Sequence, residues 1–383
     1  MPGFLLCLTY HLPNVSGLTL SAHELARHLA SRGHKLRVVA GRVPDTAPAL
    51  ETIDDVEVVR VRSLCRISKA LVMPGYGLAV WRAMDGMAVV NVQLPCLDAG
   101  LVAVLAKLRG RKLIVSYISS MSKATIGARI LRALAAVPHV AAGILADRIQ
   151  VVSPDYAEAS TFCRLFRRKI DFAPLPVHLH LLPGETHPPR RPRTADADRP
   201  FRIGYVGRVA RQKSLGLLLA ALPRIVELVG PHVVLDIVGP ASDVIGESHW
   251  HEILEAANAS GGRVRYCGSK SGMALARHYA ELDVLVLPST DRLESFGLVQ
   301  VEAMLRRVPV VASDLPGMRL PIARTGMGRL FPAGDAAALA EAVAKVLADG
   351  PPCDPGPDEI ERLFGNEAAC TPYARLLAAG DGR

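Results

Sequence analysis

Two carboxylates with seven residues between them, Glu294 and Glu302, are the first residues whose spacing points to chemistry. The segment 294–302 reads ESFGLVQVE, a loop turning into a good helix by composition. One carboxylate then lies in the loop and the other just over a turn into the helix, so the pair can reach different parts of one ligand. A carboxylate can accept from two vicinal hydroxyls at once. Two fixed cationic donors, Arg208 and Lys213, stand in VGRVARQK at 206–213, where they suit an anionic ligand.

These residues need elements to hold them. Residues 284–288, VLVLP, read as a buried parallel strand ending at a turn. Residues 289–291 suit a loop, 298–305 a helix and 308–312 a second strand. In an open α/β sheet ligands bind outside the carboxyl ends of the strands, where helix N-termini point at them. The same alternation precedes this segment. Strands are expected at 201–206, 233–238 and 264–267, each followed by a glycine (Gly207, Gly239 and Gly268), with helices at 215–229, 251–259 and 273–282. The first half shows strands at 4–8, 36–40, 56–61, 88–92, 112–116 and 148–152, with helices at 20–30, 101–108 and 126–136, a doubly wound pattern. A last helix is expected over 358–379.

The bulk properties bound the reading. A chain of 383 residues favours two domains. The hydrophobic content of 50% with 32 Gly and 28 Pro is a globular α/β profile. No apolar run approaches the ~20 residues of a membrane span, and the N-terminus does not have the form of a signal peptide. Seven scattered Cys without a CxxC pair argue for a reducing cytoplasm and against a metal site. The excess of positive charge sits in the first half, where residues 1–180 carry 22 Lys/Arg against 12 Asp/Glu. Such a surface faces anionic lipid, an anionic acceptor or nucleic acid, or is simply solvated.

Several residues have a bland reading beside a functional one. Gly17 lets the backbone approach a ligand at the start of the first helix, or is a turn glycine. His11, alone in a turn-rich loop, reads as structural or solvated, and His23 and Glu24 read as exposed. Residues 183–200 are rich in Pro and Arg and read as a linker or surface loop. Asp196 and Asp198 within it have the form of a metal-binding pair, which is rejected for want of further ligands. The basic stretch 161–169 reads as amphipathic, on a membrane surface or over the hinge between domains. The stretch 66–75 suits an acceptor lid.

In order and spacing these segments resemble the family 4 retaining glycosyltransferases over almost the whole chain. The span 294–302 is similar to that family's E-x7-E signature, and 205–213 to its phosphate-binding segment. Residues 308–313 and 328–335 are similar to its closing segments, and 16–34 to its first helix and glycine-rich loop. The resemblance implies a GT-B fold of two facing Rossmann-like domains with a cleft between them. The expected boundaries are 1–182 for an acceptor-binding domain, 183–200 for the linker, 201–355 for a nucleotide-sugar domain and 356–383 for a helix crossing back.

The resemblance also implies an activity. A hexose-type sugar would pass from a nucleotide-diphosphate sugar, a UDP-sugar first, to a hydroxyl acceptor, with retention and without a metal or cofactor. Glu302 would take the ribose hydroxyls and Glu294 a sugar hydroxyl, with Glu294, Arg208 and Lys213 as the catalytic set. Gly17, Gly207, Gly239, Gly268, Phe296, Gly297, Leu298 and Val299 complete the donor site. The acceptor would be a small molecule, glycan or lipid. A cytoplasmic protein is expected, peripheral at the inner membrane face through its basic domain, with no nucleic-acid partner.

The sequence departs from the family pattern on the sugar-facing side. Gln93 and Ile118 stand where histidines are usual, and Leu320 where an acid is usual; Gln93 and Ile118, with His11, mark the sugar or acceptor vicinity. Two readings follow. One is an active transferase with an altered acceptor or a less hydroxylated sugar. The other is a nucleotide-sugar-binding partner or regulatory subunit with little or no transferase activity.

Overall fold

Short runs of aliphatic and β-branched residues, buried on both faces, make the central strands of two sheets. The computed structural model describes residues 2–67, 70–121, 126–178, 199–241, 250–291 and 293–378, so most of the expected linker, 183–198, lies outside the described residues, Asp196 and Asp198 included. The described residues form two units, one from 2–178 with 364–378 and one from 199–363.

The first unit runs β1 (Gly3–Cys7), α1 (Gly17–Ser31), β2 (Leu36–Gly41), β3 (Leu50–Ile53), β4 (Val56–Val61), β5 (Cys65–Ile67), β6 (Ala70–Val72), α2 (Tyr76–Ala83) and β7 (Met87–Leu94). It continues through α3 (Ala99–Leu108), β8 (Lys112–Tyr117), α4 (Ile126–Leu145), β9 (Arg148–Val151), α5 (Pro154–Glu158), α6 (Thr161–Leu165) and β10 (Ile170–Phe172). Eight strands form one sheet in the order β10-β9-β8-β7-β1-β2-β4-β3, parallel except for β3. The chain leaves β1 toward β2 on one side and later continues from β7 toward β8 on the other. The strand order therefore reverses between β1 and β7, where a doubly wound sheet opens its binding crevice.

The second unit runs β11 (Phe201–Val206), a 3-10 turn (Arg211–Lys213), α7 (Leu215–Val229), β12 (Val233–Val238), α8 (Trp250–Ala259), β13 (Val264–Tyr266), α9 (Gly272–Glu281) and β14 (Val284–Leu287). Then come α10 (Leu298–Met304), β15 (Val310–Ser313), α11 (Leu320–Thr325), β16 (Gly328–Phe331), α12 (Ala336–Asp349) and α13 (Pro357–Phe364). Its six strands are all parallel, in the order β13-β12-β11-β14-β15-β16, and the order reverses between β11 and β14. Val284, Val286, Ile203, Leu235 and Ile237 of its centre are fully buried against α7 and α12.

Four features differ from the sequence expectations. The single helix over 358–379 is two, α13 and α14 (Asn366–Ala378), broken at Gly365. Asn366 fixes the start of α14: its side chain accepts from the Val177 amide (3.1 Å) and donates to Glu24 (2.7 Å). The strand at 56–61 gains an antiparallel partner, β3, through a two-residue turn in which Asp54 (φ 48) and Asp55 (φ 62) are both left-handed, as a type I′ hairpin requires. The fourth helix does not stop near 136 but runs through Pro138 to Leu145. Lys169 caps it, its ammonium donating to the carbonyls of Gly143 (3.1 Å), Ile144 (2.6 Å) and Ala146 (2.8 Å).

The fourth difference concerns His23 and Glu24, which are buried rather than exposed. Neighbours distant in sequence cover them. His23 Nε2 meets the Asp54 carboxylate at 2.9 Å, and Glu24 is held by Arg27, Asn366 and His178. The basic stretch 161–169 is the five-residue α6 followed by a 3-10 turn at Arg167–Lys169, with Cys163 buried and Phe162 stacked on Tyr117. The stretch 66–75 carries the β5–β6 hairpin, of which 68–69 lie outside the described residues.

Candidate functional site

The second unit gathers most of the candidate residues at the carboxyl edge of its sheet. Gly207 follows β11, Gly239 follows β12 and Gly268 comes two residues after β13. Hydrogen bonding continues past the strand ends: the Gly207 amide donates to Val238 O (2.9 Å) and the Gly239 amide to Gly268 O (3.0 Å). Gly239 has φ 138, and a Cβ there would collide with the Gly207 carbonyl, so this approach of two backbones requires glycine. Tyr205 OH donates to the Arg208 carbonyl at 2.8 Å and Tyr266 OH to the Gly239 carbonyl at 3.0 Å, which pins both loops. Burial, with Glu294 nearby, pushes the Tyr205 phenol far up, so it stays a donor at any working pH.

The two loops at the reversal point of this sheet are tied to each other. Lys213, ending the 3-10 turn after β11, forms an ion pair with Glu294 in the loop after β14. Beside it, Ser214 Oγ and Thr290 Oγ1 are 2.8 Å apart. Both charged side chains are about one-fifth exposed (21% and 18%), enough for a ligand to reach them. Arg208 is partly exposed nearby in sequence, and among the described residues no carboxylate pairs with it.

The helix after Glu294 is set by Gly297, left-handed at φ 74, whose Cβ would lie 2.7 Å from Leu287 Cδ2 and 2.8 Å from Gln300 Nε2. Gln300 is fully buried and donates through Nε2 to Phe296 O (2.8 Å) and Met318 O (2.9 Å), locking the turn. The Gln300 amide donates to Gly297 O (2.8 Å), and the amides of Leu298 and Val299 before it have no partner within the helix, which starts on the side of the sheet where β14 ends. Leu298 and Val299 there are half-buried, whereas the Phe296 ring is in the core, leaving only its backbone for a ligand. Glu302 is 8% exposed and its Oε2 accepts from Tyr279 OH of α9 at 2.8 Å. Burial first, then the neighbouring Glu302, push the Tyr279 phenol well above its usual range, so it stays protonated and donates to Glu302.

In the first unit the candidates follow the strands on either side of the reversal between β1 and β7. Gly17 is exposed at the start of α1, where Ser16 and Thr19 form a reciprocal cap. Gln93 is half-buried near the end of β7, and Ile118 is buried at 3%, its amide donating to Leu94 O at 3.4 Å. His11 is 2% exposed and neither ring nitrogen has a hydrogen-bond partner. Burial, then His23, then Arg60 lower its pKa to about 3, so the ring is neutral.

A cavity of about 70 Å³ opens beside this reversal, lined by Thr9, Leu71, Cys96, Asp98, Leu131 and His139 among others. Asp98 and His139 are functional candidates that sequence reasoning missed; the only signal was the position of Asp98 just past a strand end. Burial raises the Asp98 carboxyl and lowers His139, whose Nε2 lies 3.1 Å from the Cys96 carbonyl. Burial, then Asp98, pushes the Cys96 thiol up to about 12, which makes it an inert wall. Among the described residues no cluster of three His, Cys, Asp or Glu could hold a metal, and no helix is long and apolar enough to cross a membrane.

Two family models match the chain. The one described as glycosyl transferases group 1 covers residues 200–349, and the glycosyl transferase 4-like domain covers 16–177. Among curated relatives, the phosphatidyl-myo-inositol mannosyltransferase of Mycolicibacterium smegmatis is 35% identical over 163 residues, 40% of each chain. The D-inositol 3-phosphate glycosyltransferase of Stackebrandtia nassauensis is 28% identical over 54% of this chain and 48% of its own. The match therefore spans less than half the length of these relatives. Solved structures share the fold end to end. Sucrose-phosphate synthase from Thermosynechococcus elongatus superposes with a TM-score of 0.73 at 21% identity, over 98% of this chain and 100% of its own. Anabaena HepE, in complex with UDP-glucose, superposes at 0.72 with 16% identity, over 98% and 99%.

Proposed function

Because the chain belongs to the glycosyl transferases described by these two models, with their GT-B fold, we propose that it moves a hexose-type sugar from a UDP-sugar to a hydroxyl acceptor. The observation that carries this reading is the Lys213–Glu294 ion pair, set where the second sheet reverses direction. It presents a cation for a diphosphate and a carboxylate for a sugar hydroxyl from two neighbouring loops.

The donor lies along the carboxyl edge of the second unit. Its diphosphate faces Arg208, Lys213 and the first amides of α10, which supply positive potential without a metal. Glu302 accepts the ribose hydroxyls and Glu294 a hydroxyl of the sugar. The strand-end glycines leave room for the nucleotide against the backbone. The acceptor is held by the first unit near Gln93 and Ile118, with its hydroxyl toward Asp98 in the cavity, and it is a small molecule, a glycan or a lipid. Lipid is included because a relative's name specifies a phosphatidyl-inositol acceptor.

Transfer is retaining. The bond from the anomeric carbon to the phosphate oxygen breaks, and the acceptor oxygen bonds to the same face. The acceptor proton ends on the leaving phosphate, whose charge Arg208 and Lys213 hold. Neither glutamate acts as nucleophile or general acid. The protein is cytoplasmic and peripheral at the inner membrane face.

Incubation with labelled UDP-, GDP- and ADP-sugars and a panel of hydroxyl acceptors tests this reading. Acceptor-dependent release of UDP is expected, with the anomeric configuration kept in the product. Binding of the donor without UDP release above background would replace it with a nucleotide-sugar-binding subunit. Ile118, buried and apolar where the family pattern has a histidine, is the observation that favours that second reading. Ile118→His separates the two: activity that collapses marks Ile118 as an adaptation to substrate, and activity that appears from nothing marks an impaired enzyme.

A further inference from the structure

Helices α2, α3 and α4 form one layer over the eight-stranded sheet. α2 lies in the connection from β4 to β7, α3 in that from β7 to β8 and α4 in that from β8 to β9; all three run toward the β10 edge, so right-handed crossovers put the helices on the same face. They are closely set: Gly77 of α2 lies against Leu101 of α3, and Gly100 of α3 against Pro138 of α4, where a Cβ would come within 3.0 Å of the proline Cα. The outward side of such a layer is normally polar. Here α3 presents Leu101, Val104 and Leu108, exposed by 46%, 44% and 71%, at positions i, i+3 and i+7. The neighbouring α4 presents Ile130, Leu134 and Val137, exposed by 57%, 66% and 75%, at i, i+4 and i+7. Single exposed aliphatics are ordinary, but two parallel stripes on adjoining helices are not.

The surroundings of the stripes are basic. Residues 76–169 carry 13 Lys/Arg against 5 Asp/Glu. Lys107 and Arg109 are neutralised by Asp147 and Asp85, but Arg132 of α4 and Arg167 and Arg168 have no carboxylate partner among the described residues. The two latter lie next to Phe166, whose ring packs on Gly143 of α4, so they flank the same helix.

An exposed aliphatic surface rimmed by arginines fits one occupant better than the rest. A second copy of this chain would bring like charges together across a two-fold axis. Nucleic acid would use the arginines but gain nothing from Leu, Val and Ile, since bases stack on aromatic rings. An anionic bilayer uses both: aliphatic side chains enter the headgroup boundary while guanidinium groups meet lipid phosphates. We propose that the outer surface of α3 and α4, with Arg132, Arg167 and Arg168, is the face by which this protein docks on anionic lipid bilayers. The proposal deepens the peripheral-membrane part of the functional reading and rests on it.

The test sediments the full chain with vesicles of phosphatidylcholine alone and of phosphatidylcholine mixed with phosphatidylglycerol. Binding is expected to the mixed vesicles only, and to weaken as salt rises. The double variant Leu134→Glu/Val137→Glu and the triple variant Arg132→Glu/Arg167→Glu/Arg168→Glu should each lose about tenfold or more in vesicle affinity. Both should keep the wild-type shift in melting temperature with UDP-sugar, which shows that they fold. No binding to either vesicle, or equal binding by wild type and both variants, overturns the proposal. So does a wild-type dimer that Leu134→Glu makes monomeric, or binding to duplex DNA or RNA in place of vesicles. Vesicle binding with the expected pattern but no UDP release from any donor would leave the surface standing and sink the transferase reading.

Discussion

Lys213 and Glu294 stand 81 residues apart in the sequence and form an ion pair between the loops that follow β11 and β14. Those two strands are neighbours at the one place where the six-stranded sheet changes direction. The pair ties the two loops at that place, and each side chain fixes where the other can point. In the proposed reading a bound diphosphate shares Lys213 with Glu294, and Glu294 accepts from the sugar with its second oxygen.

This sharing has a kinetic signature. Lys213→Ala removes the cation and leaves a carboxylate beside the diphosphate, so a loss of ~10-fold or more in kcat/KM is expected. Glu294→Gln keeps the shape, removes the charge and should lose less. Together they should cost less than the product of the single losses, because removing Glu294 relieves the repulsion that Lys213→Ala creates. Steady-state donor kinetics of the four proteins measures this, and strictly multiplicative losses would show that the two side chains act independently.

Glu302, proposed to hold the ribose, is buried and accepts from Tyr279. The 2.8 Å bond between them orients the carboxylate that, in the proposed reading, accepts ribose hydroxyls. Glu302→Ala should raise the donor KM by ~10-fold or more, as it removes a charged acceptor. Tyr279→Phe should raise it by roughly 3-fold while kcat stays within a factor of two, because the phenol orients the carboxylate without touching the reacting atoms. A fall in kcat with unchanged KM in Tyr279→Phe would move this pair out of nucleotide binding.

The C-terminal helix gives a stability prediction. Tyr373 of α14 places its hydroxyl 2.8 Å from Ser116 Oγ and 2.9 Å from Gln150 Oε1, under a ring packed edge-on against Phe4. Ser116 also accepts from Asn91 Nδ2 at 2.8 Å, so one fully buried network joins three strands to the helix. Tyr373→Phe strands polar partners in the core and should lower unfolding stability by ~1–3 kcal/mol in urea titrations. Tyr373→Ala adds a cavity and should cost more, ~3–5 kcal/mol. A Phe variant as stable as the wild type would mean that water replaces the hydroxyl.

The alternation of strands and helices was legible because parallel central strands are short aliphatic runs and each crossover helix has its own period. The β3 strand was not, because its hairpin turns on Asp54 and Asp55, neither of them the glycine that usually marks a type I′ turn. Glu294, Glu302, Arg208 and Lys213 of the proposed donor site could be singled out from residue type and spacing, but the Lys213–Glu294 pairing needs the strand order. His23 and Glu24 read as exposed because a helix pattern shows only its own chain. Asp54 lies 31 residues beyond His23 and Asn366 lies 342 beyond Glu24, and those contacts bury them. Asp98 and His139 carried no spacing signal, since the cavity they line is made by a strand end and a distant helix.

The neutral, buried His11 sets a pH dependence whose sign is fixed. Its folded pKa of about 3 lies below the ordinary histidine value, through burial first and then the neighbouring His23 and Arg60. Above pH 6.5 neither the folded nor the unfolded chain carries a proton there, and the group's contribution is fully present. As pH falls below 6.5 the unfolded chain takes up a proton that the folded chain refuses until about pH 3, so stability is lost across that window, by up to ~1.4 kcal/mol per pH unit. His11→Leu removes the titrating group. Its stability should fall less steeply between pH 6.5 and 4 than the wild type's, whatever its absolute stability at neutral pH. Urea midpoints across that range for both proteins measure the difference in slope. Equal slopes would mean that His11 takes up its proton in the folded protein too, and that its two unpartnered ring nitrogens have found partners.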